Sequence, residues 1–253
     1  MVSGAPSDSA GVPWEGRQFE RNSWGSDDGR APETLITAIR RFRAGELAES
    51  AVVDAVRDVR LLVPLVAHLG EAGQNGHGVL VDKSQELSIV TVAAPDGRNV
   101  MPVFTSVEAM AAWNPSARPV PTAATRVALA AASEQTDLVI LDPTSVTEFG
   151  IRRPALWAVA QAQPWTPGYV DGEVSAAFSD AAANVAEIAR VRIEAGDPGA
   201  RLEHPEVLVR LWLAPGLDAG SLAALLDTQQ QRWAASEIIA TRVDSLAVKL
   251  HQA

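Results

Sequence analysis

The spacing of apolar residues along the chain predicts an alternation of short helices and strands. Leu35, Ile36, Ile39 and Phe42 recur at helical spacing, with Arg40, Arg41 and Arg43 on the opposite side and Pro32 suited to the first helical position. Glu46–Arg57 reads as a second helix. The apolar run RLLVPLVA, Arg60–Ala67, predicts a strand, and Pro64 within it points to an edge or a bulge. The runs Ser88–Ala93 and Asn99–Phe104 flank Pro95, Asp96 and Gly97, a turn-forming triplet that predicts a β-hairpin. Thr105 and Glu108 have the spacing of a capping box and should open a helix ending near Trp113. An extended piece (Arg118–Pro121), an Ala-rich helix (Thr122–Ala132), a strand (Asp137–Leu141), a short strand (Phe149–Arg152) and a helix opened by Pro154 follow.

Two prolines and a glycine within Gln163–Gly168 mark a boundary. Beyond it the pattern predicts a helix (Glu173–Val185), strands at Ile188–Glu194 and Glu206–Leu213, a helix capped by Asp218, and a last strand near Ser245–Leu250. Residues 1–30 show no period and read as a flexible arm. The expected architecture is therefore α+β (mixed α/β): an arm over 1–30, a domain over 31–168 with a mixed sheet and flanking helices, and a smaller α+β module over 169–253.

Composition narrows the function classes. The chain has 253 residues, 31 Asp and Glu, 21 Lys and Arg, a net charge of -10, and 47% hydrophobic residues. Half of the excess, -5, falls in residues 169–253. Acidity argues against general nucleic-acid binding, which rests on neutralising phosphates. No apolar run has the roughly 20 residues of a membrane-spanning helix. The absence of cysteine removes disulfides, thiolate metal sites and thiol nucleophiles, and fits a cytoplasmic protein. Lys83 and Lys249 are the only lysines, and neither sits in a catalytic motif.

No nucleophile elbow, zinc-helix motif or phosphate-binding lysine loop occurs, so no catalytic residue, metal ligand or cofactor is assigned. Gly70, Gly73, Gly76 and Gly78 follow a strand at the wrong spacing for a phosphate cradle. His68, His77, His204 and His251 are scattered. The most suggestive polar group is Asp142 with Glu148, Arg152 and Arg153. Asp142 follows a strand, where open α/β sheets place ligand sites, and either arginine could hold an anion. The alternative is that Asp142 satisfies turn amides and the arginines make surface pairs. Trp14, Phe19 and Trp24 in the arm, and Trp165 in the boundary, are candidate contacts with a partner; the arm could also dock on its own domain, and Trp165 could wedge between domains. The apolar residues of Glu206–Leu213 could form a sheet edge that makes a homo-oligomer.

Several segments together resemble the SseB family, named for enhanced serine sensitivity. They are DDG (Asp27–Gly29), RLLVPLVAHLGE (Arg60–Glu71), PDGRNVMPVFTSVEAMAAW (Pro95–Trp113), ARPVPTAA (Ala117–Ala124), LVILDPTS (Leu138–Ser145) and RRPALWAVAQAQPWTP (Arg152–Pro167). Their order matches the family's amino-terminal domain, with residues after 168 similar to the carboxy-terminal extension of some members. The resemblance implies a non-enzymatic protein that binds a protein partner or small molecule, with an indirect effect on metabolism or serine sensitivity. It supplies no catalytic residues. The alternative expectation is an enzyme or anion sensor using Asp142 with Arg152 or Arg153.

Overall fold

The computed structural model describes residues 27–67, 87–93, 97–133, 136 and 138–253. The arm aromatics Trp14, Phe19 and Trp24, the glycine-rich stretch with His68 and His77, and Pro95 and Asp96 of the expected hairpin turn lie outside the described residues.

Helices α1 (Glu33–Arg43) and α2 (Glu49–Arg57) put Leu35, Ile39, Val52 and Val56 inward at helical spacing. Strand β1 (Arg60–Ala67) follows and pairs antiparallel with β2 (Leu87–Ile89) on one side. Beyond β3 (Val92–Ala93), β4 (Asn99–Val103) and α3 (Val107–Trp113), β5 (Arg118–Ala123) pairs with β1 on its other side. β1 is thus central in its sheet, not an edge as Pro64 suggested. The lost donor is tolerated because Pro64 faces Pro119 across the β1–β5 pair, and the β2 ladder begins only at Leu65.

After α4 (Ala124–Ser133), β6 (Leu138–Leu141) and β7 (Phe149–Ile151) complete a second sheet, ordered β3-β4-β6-β7. Its central pair, β4 and β6, is parallel and both outer pairs are antiparallel. The run Ser88–Ala93, expected as one strand, is therefore two: β2 belongs to the first sheet and β3 to the second. A bridge between Leu62 and Phe104, with N–H···O distances of 2.8 and 2.9 Å, ties the two sheets together.

The cap of α3 also differs from expectation. Ser106, not Thr105, accepts the hydrogen bond from the Ala109 N–H at 3.0 Å. The Thr105 hydroxyl is engaged by Asp142 instead.

Helix α5 (Arg153–Ala160) leads through a 3-10 turn (Gly168–Val170) to α6 (Gly172–Ala181), where Asp171 accepts from the N–H groups of Glu173 and Val174. Strands β8 (Ile188–Ala195) and β9 (Val207–Leu213) pair antiparallel; α7 (Ala219–Ala235) and the short α8 (Glu237–Arg242), which the pattern did not anticipate, lead to β10 (Leu246–Gln252), parallel to β9. Asp218 caps α7 through the Ser221 N–H, as its position predicted. With helices and three sheets in this arrangement the fold is mixed α+β.

Apolar residues gather in two main cores. One joins α1, α2, α4 and α5 to the second sheet through residues such as Leu35, Met101, Leu141 and Phe149. The other joins α6 to α8 to the third sheet through Phe178, Val209, Leu211 and Trp233. The loop 196–205 between β8 and β9 crosses from the second core to the first. Its Ala200 is part of the first core, and its Leu202 packs with Val100 and Leu138.

Candidate functional site

Two polar features stand out: the seam where loop 196–205 meets the preceding sheet, and the open face of the third sheet.

At the seam, Arg152 follows β7 and is 3% exposed. Its guanidinium donates to Asp197 Oδ2 and the His204 carbonyl, both at 2.7 Å, and to Asp244 Oδ2 and Ser245 Oγ, both at 3.3 Å. Arg98 meets both Asp244 oxygens at 3.0 Å. Asp197 turns its Oδ2 back onto the N–H groups of Arg201 and Leu202, fixing its own loop. Arg43 donates to the carbonyls of Gly199 and Glu148. Glu206 accepts from the backbone N–H groups of Gly168 and Asp244, and burial pushes its carboxyl upward. Tyr169 donates to Glu49 on α2 at 3.0 Å. Burial pushes the Glu49 carboxyl up to about 7, and burial beside that carboxylate raises the Tyr169 phenol as well.

The residues singled out from sequence are not brought to one pocket. Asp142 is buried and left-handed (φ 44°); it accepts from the Thr105 N–H, the Thr105 hydroxyl and the Thr147 hydroxyl, each at 2.7 Å. It clamps the end of β4 to the turn after β6. Glu148 accepts from the Thr144 N–H and pairs with Arg201 at 3.6 Å. Arg153 turns to the carbonyls of Ala240 and Val243 and lies over the Trp157 ring. Asp142 and Arg152 thus serve separate networks, and neither expected alternative for the arginines fits Arg152, which is buried rather than a surface pair. Trp165 is half-buried against the first core. Among the described residues no cluster of three metal-ligating side chains occurs, and no helix is long and apolar enough to cross a membrane.

β9 is the central strand of the third sheet, with β8 and β10 as edges, so Glu206–Leu213 offers no free edge for the expected self-association. Val207, Val209, Leu211 and Leu213 turn into the core, and Leu208, Arg210 and Trp212 alternate with them onto the other face. Register then builds rows across the strands. Arg192, Arg210 and Lys249 stand side by side in one row, and Arg190, Trp212 and His251 in the next. A third row holds Glu194, Leu208 and Ala247. Arg190, Arg192 and Lys249 are exposed, and Arg210, Trp212 and His251 half-buried.

The indole of Trp212 is enclosed from both neighbouring strands: Arg190 lies 4.9 Å from its centroid, and the His251 ring stacks at 4.9 Å. Arg210 binds Glu194 at 2.6 Å and His251 Nε2 at 3.1 Å. Residues 169–253 contain seven Lys and Arg against twelve Asp and Glu, yet this face carries four of the cations and one of the carboxylates. Like charges directly opposite one another on a sheet repel. Three adjacent cations offset by one glutamate are therefore an arrangement that folding alone does not favour. The signal was present in sequence as the alternations Arg190, Arg192, Glu194 and Arg210, Trp212, but the net acidity of the segment hid it.

Residues 34–158 match the SseB protein N-terminal domain. No curated protein and no solved structure matches the chain. The matched span runs from Thr34 in α1 to Ala158 in α5 and includes Asp142, Glu148, Arg152 and Arg153, whereas the cationic sheet face lies beyond it. By that match, the chain belongs to the SseB family.

Proposed function

We propose that this chain is a non-enzymatic, cytoplasmic binding protein that engages its partner through the open face of the third sheet, and that any effect on metabolism or serine sensitivity follows indirectly from that binding. One observation carries the reading: the Arg192, Arg210 and Lys249 row, a concentration of positive charge on the most acidic part of the chain. The polar residues at the seam and around Asp142 support it from the other side, because their bonds hold the fold together.

The test is quantitative affinity capture from an extract of the native cells, using the intact chain and the variant Arg192→Ser/Lys249→Ser. Both side chains are exposed, so the fold is expected to survive. The reading expects the variant to lose proteins that the unchanged chain retains; identical capture would overturn it.

A further inference from the structure

Building on the proposed binding face, we infer that its occupant is an acidic, extended polypeptide segment in which carboxylates alternate with apolar residues. The argument is one of charge and spacing. Neighbouring strands are about 4.8 Å apart, so the cation row spans roughly 10 Å across the sheet. Alternate side chains of an extended segment fall on one side at a spacing of about 6.8 Å. Two such carboxylates reach two members of the row at once. Arg192 and Lys249, at its ends, are exposed, and Arg190 adds a further exposed guanidinium in the next row. Arg210 at the centre already shares its charge with Glu194 and holds its place through His251, so the ends are the free contacts.

In the row on the other side, Leu208 and Ala247 offer a small apolar patch beside the cations, and the third member, Glu194, has its charge taken up by Arg210. An alternating segment whose apolar side chains cover Leu208 and Ala247 removes apolar surface from water as it binds, a gain that a purely charged segment lacks.

Single-stranded nucleic acid is the other polyanion to consider, and the same face disfavours it. Binding without sequence preference uses aromatic rings on which bases stack. Here Arg190 lies over the Trp212 ring and the His251 ring stacks on it, so the indole is already engaged and offers no free platform. The charge of -10 opposes a long polyphosphate more than a short peptide, whose contacts lie within a Debye length of about 8 Å at physiological salt.

The probe is a fluorescein-labelled peptide of alternating Glu and Leu, followed by polarisation against the full chain, with labelled oligo-uridine and an alternating Gln and Leu peptide beside it. The acidic peptide is expected to bind, to weaken as salt rises, and to lose about tenfold or more in affinity with Arg192→Ser/Lys249→Ser. Circular dichroism establishes that this variant is folded. Equal binding of the Gln and Leu peptide overturns the charge argument. Oligo-uridine that binds with the same dependence on Arg192 and Lys249 and displaces the peptide overturns the partner class and leaves the face as the site. Light scattering that gives a dimer dissolved by the variant names a second copy as occupant and overturns it likewise. If no probe binds while capture from extract still depends on Arg192 and Lys249, the partner class fails alone; if that dependence is also absent, the binding face fails with it.

Discussion

Tyr169 donates its phenolic hydrogen bond to Glu49, joining the turn after the boundary to α2 at 3.0 Å. The carboxyl it meets is buried, with Glu206 and Asp197 adding negative potential and Arg152 offsetting part of it, and it titrates near 7 instead of its ordinary 4.5. The folded chain therefore holds a proton that the unfolded chain releases between those values. The contribution of Glu49 to stability falls as pH rises from about 4.5 to 7 and is flat above, a change on the order of 3 kcal/mol. Glu49→Gln keeps an oxygen for Tyr169 and never ionises. Its urea midpoint at pH 8 is expected to exceed that of the unchanged chain, with the difference vanishing near pH 4.5. A variant curve parallel to wild type across that range would show that Glu49 is not the group responsible.

Arg152→Met leaves Asp197 and Asp244 buried without their shared cation. Loss of one partner from a buried pair costs about 3–5 kcal/mol. Lysine does not restore it, because one ammonium lacks the fork that reaches Asp197 and Asp244 together. Denaturant titration of both variants checks this; Arg152→Lys matching wild type would contradict the role of the fork.

Asp142→Asn changes few atoms and removes a key acceptor. The Thr105 N–H donates to one carboxylate oxygen and two hydroxyls donate to the other. With the amide oxygen kept on the Thr105 N–H, the amide nitrogen faces the two hydroxyls, which must turn from donors into acceptors, and all three bonds lose their charged acceptor, at a cost of about 1–3 kcal/mol. The expected result is a lowered melting temperature with an unchanged affinity for the acidic peptide. Weaker peptide binding by folded protein would instead tie Asp142 to the binding face.

Gln229 on α7 is fully buried, and neither carboxamide atom has a hydrogen-bond partner among the described residues. Leucine of similar volume removes the desolvation cost of that amide, so Gln229→Leu is expected to raise the melting temperature, by the equivalent of about 1–2 kcal/mol. A lowered melting temperature in scanning calorimetry would mean that the amide is bonded in solution.

Local chemistry was legible and register was not. Asp218 announced the start of α7 because a cap acts within three residues. The assignment of the α3 cap to Thr105 missed because Asp142, far along the chain, competes for its hydroxyl, and Ser106 one position later serves instead. Pro64 suggested an edge because the compensating Pro119 lies on a strand whose alignment no local pattern reveals. The same holds for the candidate residues. Arg152 was visible as a cation, but its partners Asp197 and Asp244 arrive from two later loops. Lys249 joins the cation row only once β10 lies parallel to β9. Alternation marks which side chains share a face of one strand; which strands stand side by side is decided by packing.

The crossing of loop 196–205 has a consequence for how the chain is made. Arg43 on the first helix finds a carbonyl at Gly199, and Ala200 fills a place in a core otherwise built from residues 35–159. During synthesis from the amino terminus, the earlier sheet must wait with that place vacant and with Val100 and Leu138 lacking the Leu202 cover. Contacts between such distant residues form late and expose apolar surface in the interval. A ribosome paused between Gly168 and Gly199 would hold an incomplete, chaperone-prone intermediate, and shortening the chain to its family-matched span would make that intermediate permanent.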